Sequence, residues 1–251
     1  MYMRFVQTKY KTGFLSNIHQ IYEKKIIPRL QNVPGCLFAA LVKSEEHPDE
    51  GISITLWDTR EHAEAYEKSG EFKELLNYIM PFLSDSSERK IQLSKDLNLE
   101  YQPVPEEPVV KAFKSLANTD DKNFSDETLS FMYLRLLSIK IKPGLMNTFR
   151  EIYKKKIIPK LQTVKGCRYA FLTENLEEEN QALSLTIWES KQDADNYEKG
   201  GLFKQLIDKV KHTFTELYQW KLALEKEKSQ TVTSDDPSIV YYQIVTGKSF
   251  Q

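Results

Sequence analysis

The chain repeats itself. Residues 21–36 read IYEKKIIPRLQNVPGC and residues 152–167 read IYKKKIIPKLQTVKGC, twelve identities in sixteen aligned positions. The offset of 131 holds without a gap from Gly13 and Gly144, through Cys36 and Cys167 and through Trp57 and Trp188, to Phe72-Lys73 and Phe203-Lys204. Solenoid units are about 20–50 residues long, so this period marks a duplicated domain of ordinary size. Residues 1–117 make the first copy and residues 129–251 the second. The polar, acidic segment 118–128 (NTDDKNFSDET) reads as the linker.

Both copies predict the same elements. Each opens with a strand, Tyr2–Lys11 and Phe131–Lys142, followed by a Gly and a helix with apolar residues at helical spacing: Phe14, Ile18, Ile21 and Tyr22, then Leu145, Phe149, Ile152 and Tyr153. Pro28 and Pro159 are expected to kink or end those helices, because an internal Pro lacks a backbone donor. Two strands joined by a charged loop follow, near Cys36–Lys43 and Ile52–Trp57, with counterparts Cys167–Thr173 and Leu183–Trp188. A second helical region spans Thr59–Leu83 and Ser190–Val210, broken at Gly70 and at Gly200-Gly201. A fourth strand is expected at Arg89–Leu99 and Thr213–Leu224, and each copy ends in a short apolar run, Val109–Phe113 and Ile239–Val245.

The order β-α-β-β-α-β predicts an α+β fold of two ferredoxin-like repeats, each an antiparallel sheet with its helices on one face. Alternation in the third strands sets Ile52, Ile54 and Leu56 beneath the helices and Ser53, Thr55 and Trp57 on the other face. Leu183, Leu185 and Ile187 oppose Ser184, Thr186 and Trp188 in the same way. A second face bearing a Trp needs a cover. The economical cover is the other copy, sheet against sheet, as an intramolecular dimeric α/β barrel with a pseudo-twofold axis. The terminal apolar runs are then expected to pair with the opposite half, so that cutting the linker leaves the halves associated. A further homodimer is left open.

Composition excludes several classes. The 35 Lys+Arg against 36 Asp+Glu leave a charge of −1, which argues against nucleic acid as a partner. No apolar run approaches the roughly 18–20 residues that span a bilayer, and the N-terminus MYMRFVQTKYK has no signal-peptide pattern. Two cysteines make no disulfide framework. The expectation is a cytoplasmic protein whose partner is a small molecule.

A Pro-Gly-Cys that opens a strand (Pro34-Gly35-Cys36), a strand ending in Trp (Ile54-Thr55-Leu56-Trp57), a helix carrying Tyr66 and a following Phe72-Lys73 form a recognisable set. Gly166-Cys167, Leu185-Thr186-Ile187-Trp188, Tyr197 and Phe203-Lys204 repeat it, with Lys165 in place of the Pro. Over about 100 residues of each copy this resembles the antibiotic-biosynthesis-monooxygenase group of dimeric α/β barrels. The resemblance implies cofactor-independent oxygenation of aromatic compounds, or haem degradation. The haem-degrading branch uses an Asn on the first strand, a Trp on the second helix and a His ligand. The aligned positions here are Val6, Tyr66 and Leu76, and Leu137, Tyr197 and Ile207, none of which matches. No cofactor is therefore predicted; haem stays open, with its family ligands unmatched.

The resemblance places a pocket aromatic at Tyr66 and Tyr197, whose hydroxyls are candidates to hydrogen-bond a phenolic or quinone-like substrate, or to remove a proton if their pKa is lowered. The plainer alternative is an aromatic packed at the helix–sheet seam. Trp57, Trp188, Thr55 and Thr186 are candidate lining residues, with simple packing as the alternative for the two Trp. None of His19, His47, His62 and His212 is repeated, which excludes a symmetrical pair of His-dependent sites. His62 shares a helix face with Tyr66, four residues on. Cys36 and Cys167 read as small buried side chains. No metal-ligand spacing and no Gly-rich phosphate loop is present. The functional expectation is a monooxygenase of the antibiotic-biosynthesis type, acting on a small aromatic or phenolic substrate between sheet and helices. The alternative is a non-enzymatic small-molecule or haem-binding and sensing barrel that has lost its catalytic residues.

Overall fold

A computed structural model describes residues 1–45, 47–93, 99–105, 109–118, 132–176, 178–215 and 239–250, with the backbone alone for 85–93, 99–105, 109–118 and 239–243. The chain forms two compact units, Met1–Lys111 with Val245–Gln251, and Ala112–Ile244. Among the described residues no helix is long and apolar enough to cross a membrane.

Unit 1 contains β1 (Tyr2–Lys9), α1 (Leu15–Ile21), a π-helical turn (Tyr22–Ile26), α2 (Ile27–Leu30), β2 (Cys36–Ser44), β3 (Glu50–Trp57), α3 (Arg60–Lys68) and α4 (Glu71–Ile79). β4 (Asp85–Leu93) and β5 (Leu99–Pro105) pair with each other as a separate two-stranded sheet. β6 (Val109–Asn118) leads into unit 2. There β7 (Tyr133–Lys140), α5 (Met146–Ile152), a π turn (Tyr153–Ile157), α6 (Ile158–Leu161), β8 (Cys167–Asn175), β9 (Gln181–Trp188), α7 (Lys191–Lys199) and α8 (Leu202–Val210) repeat the plan, and β10 (Ile239–Ser249) follows. This is the α+β, ferredoxin-like arrangement in two copies.

The duplication extends to register. Tyr2 to Lys9 pair with Trp57 to Glu50, and Tyr133 to Lys140 pair with Trp188 to Gln181. The β2–β3 and β8–β9 pairs slip at the same place, between Cys36 and Phe38 and between Cys167 and Tyr169. Gly35 and Gly166 precede those bulges at φ of 80° and 78°, a conformation that favours glycine. A Cβ at either would collide with the Asp58 and His62 side chains, or with Asp193.

Three sequence expectations change. Pro28 and Pro159 do not end their helices: the Ile27 and Ile158 N–H groups donate five residues back, to the Tyr22 and Tyr153 carbonyls, and the helix continues beyond. A π turn is the register that precedes the residue without a donor. The strand expected at Arg89–Leu99 belongs to the β4–β5 hairpin, and its counterpart lies largely outside the described residues. DSSERKIQL has no continuous apolar stripe to bury in the main sheet. Terminal runs take that place: β6 pairs with β8 from Phe113↔Asn175 to Asn118↔Phe171, and Ile239–Gln243 of β10 pair with β7. In unit 1 the Phe250 N–H donates to the Leu37 carbonyl at 2.8 Å, and Gly247 lies against Ala39 and Ala40. Each unit thus includes a terminal strand segment of the other repeat.

The third change concerns the sheet faces. Ser53, Thr55 and Trp57 lie beneath the helices, since the Tyr22 hydroxyl bonds Ser53 Oγ at 2.9 Å and Trp57 stacks on Tyr66 of α3. In unit 2 the core that joins Phe149, Tyr153, Leu206 and Phe214 contains Trp188, Leu137 and Ile139, all on the Ser184–Thr186 face. Ile52, Ile54, Leu56, Leu183, Leu185 and Ile187 occupy the opposite face and are buried as well. With both faces covered, apolar alternation no longer identifies the helical side.

Candidate functional site beneath the helices

The correction brings the predicted residues together. In unit 1 the Trp57 indole N–H donates to Thr55 Oγ1 at 2.9 Å, and its ring lies 5.2 Å from that of Tyr66 at an interplanar angle of 33°. In unit 2 Trp188 donates to Thr186 Oγ1 at 2.8 Å and lies 5.0 Å from Tyr197 at 31°. Thr and Trp are two apart on one strand, so their side chains share a face. The Tyr arrives on α3 or α7, whose start is fixed by Thr59 or Ser190 accepting the N–H of His62 or Asp193. Phe72 and Phe203 complete each cluster edge-on to the Tyr, at 6.2 and 5.8 Å.

Burial is the dominant influence on both tyrosines and pushes their phenols above the ordinary range. They remain protonated at neutral pH, so the structure supports hydrogen-bond donors and not bases. Neither hydroxyl has a hydrogen-bond partner among the described residues. Tyr22 and Tyr153, by contrast, are tied to Ser53 and Ser184 at 2.9 and 2.7 Å.

Sequence reasoning missed the most unusual residue. Arg4 of β1 is 3% exposed and Arg135 of β7 is 2% exposed. Each guanidinium lies over a Phe ring, 3.9 Å from the Phe72 centroid and 4.3 Å from that of Phe203, and 5.9 or 5.8 Å from the Tyr66 or Tyr197 ring. A desolvated cation–π contact contributes about 2 kcal/mol, whereas burying an ion costs several kcal/mol after relaxation. The ion pairs do not close the gap. Glu67 stands 3.9 Å from Arg4 and Glu198 stands 3.4 Å from Arg135. Arg4 Nε and Nη2 and Arg135 Nη2 have no hydrogen-bond partner among the described residues. The available signal was an arginine repeated at one register position, between apolar neighbours, Met3 and Phe5 in β1 and Leu134 and Leu136 in β7.

A cavity of about 20 Å³ adjoins Arg135, Ser184, Thr186, Tyr197 and Phe203 in unit 2, room for about one water-sized group. A larger, open cleft of about 580 Å³ in unit 1 is walled by Val33, Pro34, Ala65 and Tyr66, with His62 at its side. His62 Nδ1 lies 2.8 Å from Asp58, and that hydrogen bond holds the Asp58 carboxyl below its usual range. Arg29 crosses the cleft wall to Glu71 through two hydrogen bonds of 2.6 and 2.7 Å. The second repeat has Lys160, Lys165, Asp193 and Leu202 at the places of Arg29, Pro34, His62 and Glu71, so the chemistry of this cleft is not duplicated.

Cys36 and Cys167 are buried and not joined by a disulfide, and burial raises the Cys36 thiol to about 12. Among the described residues no group of three His, Cys, Asp or Glu is placed to hold a metal ion. Val6 and Leu137 are buried on the helical face of the sheet and Ile207 is buried on α8. Aliphatic side chains offer no iron ligand, so these positions do not fit haem.

The model of one family, antibiotic biosynthesis monooxygenase, matches residues 1–77 and again residues 132–209. The chain belongs to that family, in tandem duplicate. Its fold is similar to that of an inferred monooxygenase from Lactobacillus acidophilus NCFM, with a TM-score of 0.67 at 9% identity over 99% of this chain and 95% of the other. An inferred monooxygenase from Fusobacterium nucleatum gives 0.65 at 12% identity, covering 99% and 94%. An anthrone oxidase-like protein gives 0.59 at 11%, covering 99% and 92%. At such identities the likeness concerns fold alone. No curated protein matches the chain significantly.

Proposed function

We propose that this member of the antibiotic biosynthesis monooxygenase family oxidises a small aromatic or phenolic substrate with dioxygen, without a cofactor, beneath the helices of its repeats. The observation that carries the reading is the Trp–Thr–Tyr cluster, built twice with the same geometry and leaving each time a phenol hydroxyl without a hydrogen-bond partner among the described residues. Such a site has apolar walls and a few hydroxyls, the composition that small-molecule pockets share. In a reaction of this class a ring CH₂ becomes a carbonyl: one oxygen atom enters the substrate, the other leaves as water, and all four electrons come from the substrate. The protein's tasks are to exclude bulk water and to place donors where negative charge develops. Tyr66 and Tyr197 are the donors, held neutral by burial. Trp57 and Trp188 hold the tyrosine rings, and Thr55 and Thr186 orient the indoles.

The test is oxygen uptake by the full chain with anthrone-type substrates, whose ring CH₂ becomes the carbonyl. The Tyr66→Phe, Tyr197→Phe double variant is expected to lose about 10²-fold in turnover, the scale of removing one donor to a developing oxyanion. Unchanged turnover would remove the proposed role.

A second reading, ligand binding without chemistry, is favoured by one observation: the cleft of unit 1 is large enough for an aromatic molecule and is lined in part by residues that the second repeat does not share. In that case a bound aromatic quenches Trp57 fluorescence while oxygen uptake stays at the background rate.

A further inference from the structure

Resting on the monooxygenase reading, we infer that Arg4 and Arg135 each form an anion subsite that binds the substrate's ionised oxygen, so that the phenol or enol enters the reaction as its anion. The argument starts from the mismatch of burial and pairing. A guanidinium with five fixed donors, almost wholly removed from water, normally has its donors filled. Here three N–H-bearing atoms in two repeats have no hydrogen-bond partner among the described residues, although the sequence had two copies in which to supply one, and the carboxylate nearest Arg4 Nη2 stands off at 3.9 Å.

The surroundings say what kind of anion fits. Arg135 borders a cavity with room for a single oxygen-sized group, next to the Tyr197 ring and the Ser184 and Thr186 side chains. An inorganic tetrahedral anion is too large for that space, whereas one phenolate or enolate oxygen is not. The guanidinium face is already occupied by an aromatic ring, Phe72 or Phe203, and both rings are half-buried. A flat aromatic ligand that displaces this ring keeps the cation–π contact and gains a charge-assisted hydrogen bond. The subsite therefore selects an aromatic ring carrying an ionisable hydroxyl. A positive charge at contact distance lowers the pKa of such a hydroxyl by about 1–3 units, which raises the anion fraction available to dioxygen.

The experiment uses 4-nitrophenol with the full chain, whose phenolate absorption reports the ionisation of the bound probe directly. The bound probe is expected to ionise at least about one pH unit below the free one. Arg4→Met with Arg135→Met is expected to abolish the shift, and Arg4→Lys with Arg135→Lys to restore part of it. The Met pair is also expected to hold or raise the melting temperature, because an apolar chain of similar length replaces a buried, underpaired charge. A purely structural arginine would instead lower it. Absence of saturable binding, a bound probe with unmoved ionisation, or a Met pair that keeps the shift overturns the subsite. Oxygen uptake distinguishes the two proposals. A shifted probe with no uptake on any substrate removes the monooxygenase reading and leaves the subsite, and full uptake by the Met pair does the reverse.

Discussion

Tyr66 and Tyr22 are both buried phenols of unit 1, and among the described residues Tyr22 has a hydrogen-bond partner for its hydroxyl and Tyr66 has none. Removing the Tyr22 hydroxyl leaves Ser53 Oγ without its bond, so Tyr22→Phe is expected to cost about 1 kcal/mol in a denaturant titration. Tyr66→Phe breaks no internal hydrogen bond and is expected to change stability by less than that while lowering turnover. Trp57 is fully buried, and Trp57→Ala is expected to cost about 3–5 kcal/mol. Alkaline pH provides another check on burial. The Cys36 thiol, ordinarily at 9.0, and the Tyr10 and Tyr153 phenols, ordinarily at 10.0, are each raised by burial to about 12. The unfolded chain releases these protons first. Their contribution to stability is therefore complete below pH 9 and is lost as pH rises from 9 towards 12. A melting temperature that is level up to pH 9 and falls above it is the expected profile. At this scale the sequence showed Tyr66, Tyr197 and the two Trp, because large aromatics repeat conspicuously. It hid Arg4 and Arg135, because a charged residue on a strand reads as solvent-facing until the fold covers it.

Among the elements, the first helix of each repeat shows where local rules stop. Its apolar spacing identified Ile18, Tyr22, Phe149 and Tyr153, all buried in the structure. Proline chemistry alone predicted a kink or an end at Pro28 and Pro159, and of the two the structure shows no end: a π turn carries the helix through. Pro28→Ala, which restores a donor, is expected to remove the need for the wide turn. If the turn tightens to α register, Tyr22 rotates relative to the sheet and its bond to Ser53 is lost, so the variant is expected to gain no stability despite the better helix former. The breaks at Gly70 and Gly201 were legible because both glycines take left-handed φ, 84° and 81°, between α3 and α4 and between α7 and α8. The helical side of the sheet was not legible. Ile52, Ile54 and Leu56 form the more apolar stripe, and the opposite stripe lies under the helices because small Ser and Thr side chains leave room there for Tyr and Trp.

Across the whole molecule, the duplication carried most of the fold. The matching register of β1–β3 with β7–β9 and the shared bulges follow from it directly. The terminal strands needed tertiary information, since a short run such as Val109–Phe113 does not state which strand it pairs with. Unit 2 contains residues 113–118 of the first repeat's tail, and unit 1 contains the chain's last seven residues. A protease site placed in the segment 119–128 is therefore expected to yield two fragments that co-elute under native conditions. Separation into two stable monomers would contradict the exchange. Because Val6, Leu76, Leu137 and Ile207 present no iron ligand, a hemin titration is expected to show no saturable Soret shift.

The most direct test of the account is oxygen consumption by the metal-free protein with an anthrone, followed alongside the double variant Tyr66→Phe, Tyr197→Phe. The account predicts uptake of one dioxygen per carbonyl formed, with no added cofactor, and a fall of about 10²-fold in the variant. Uptake no faster than without protein, or equal uptake by the variant, would contradict it.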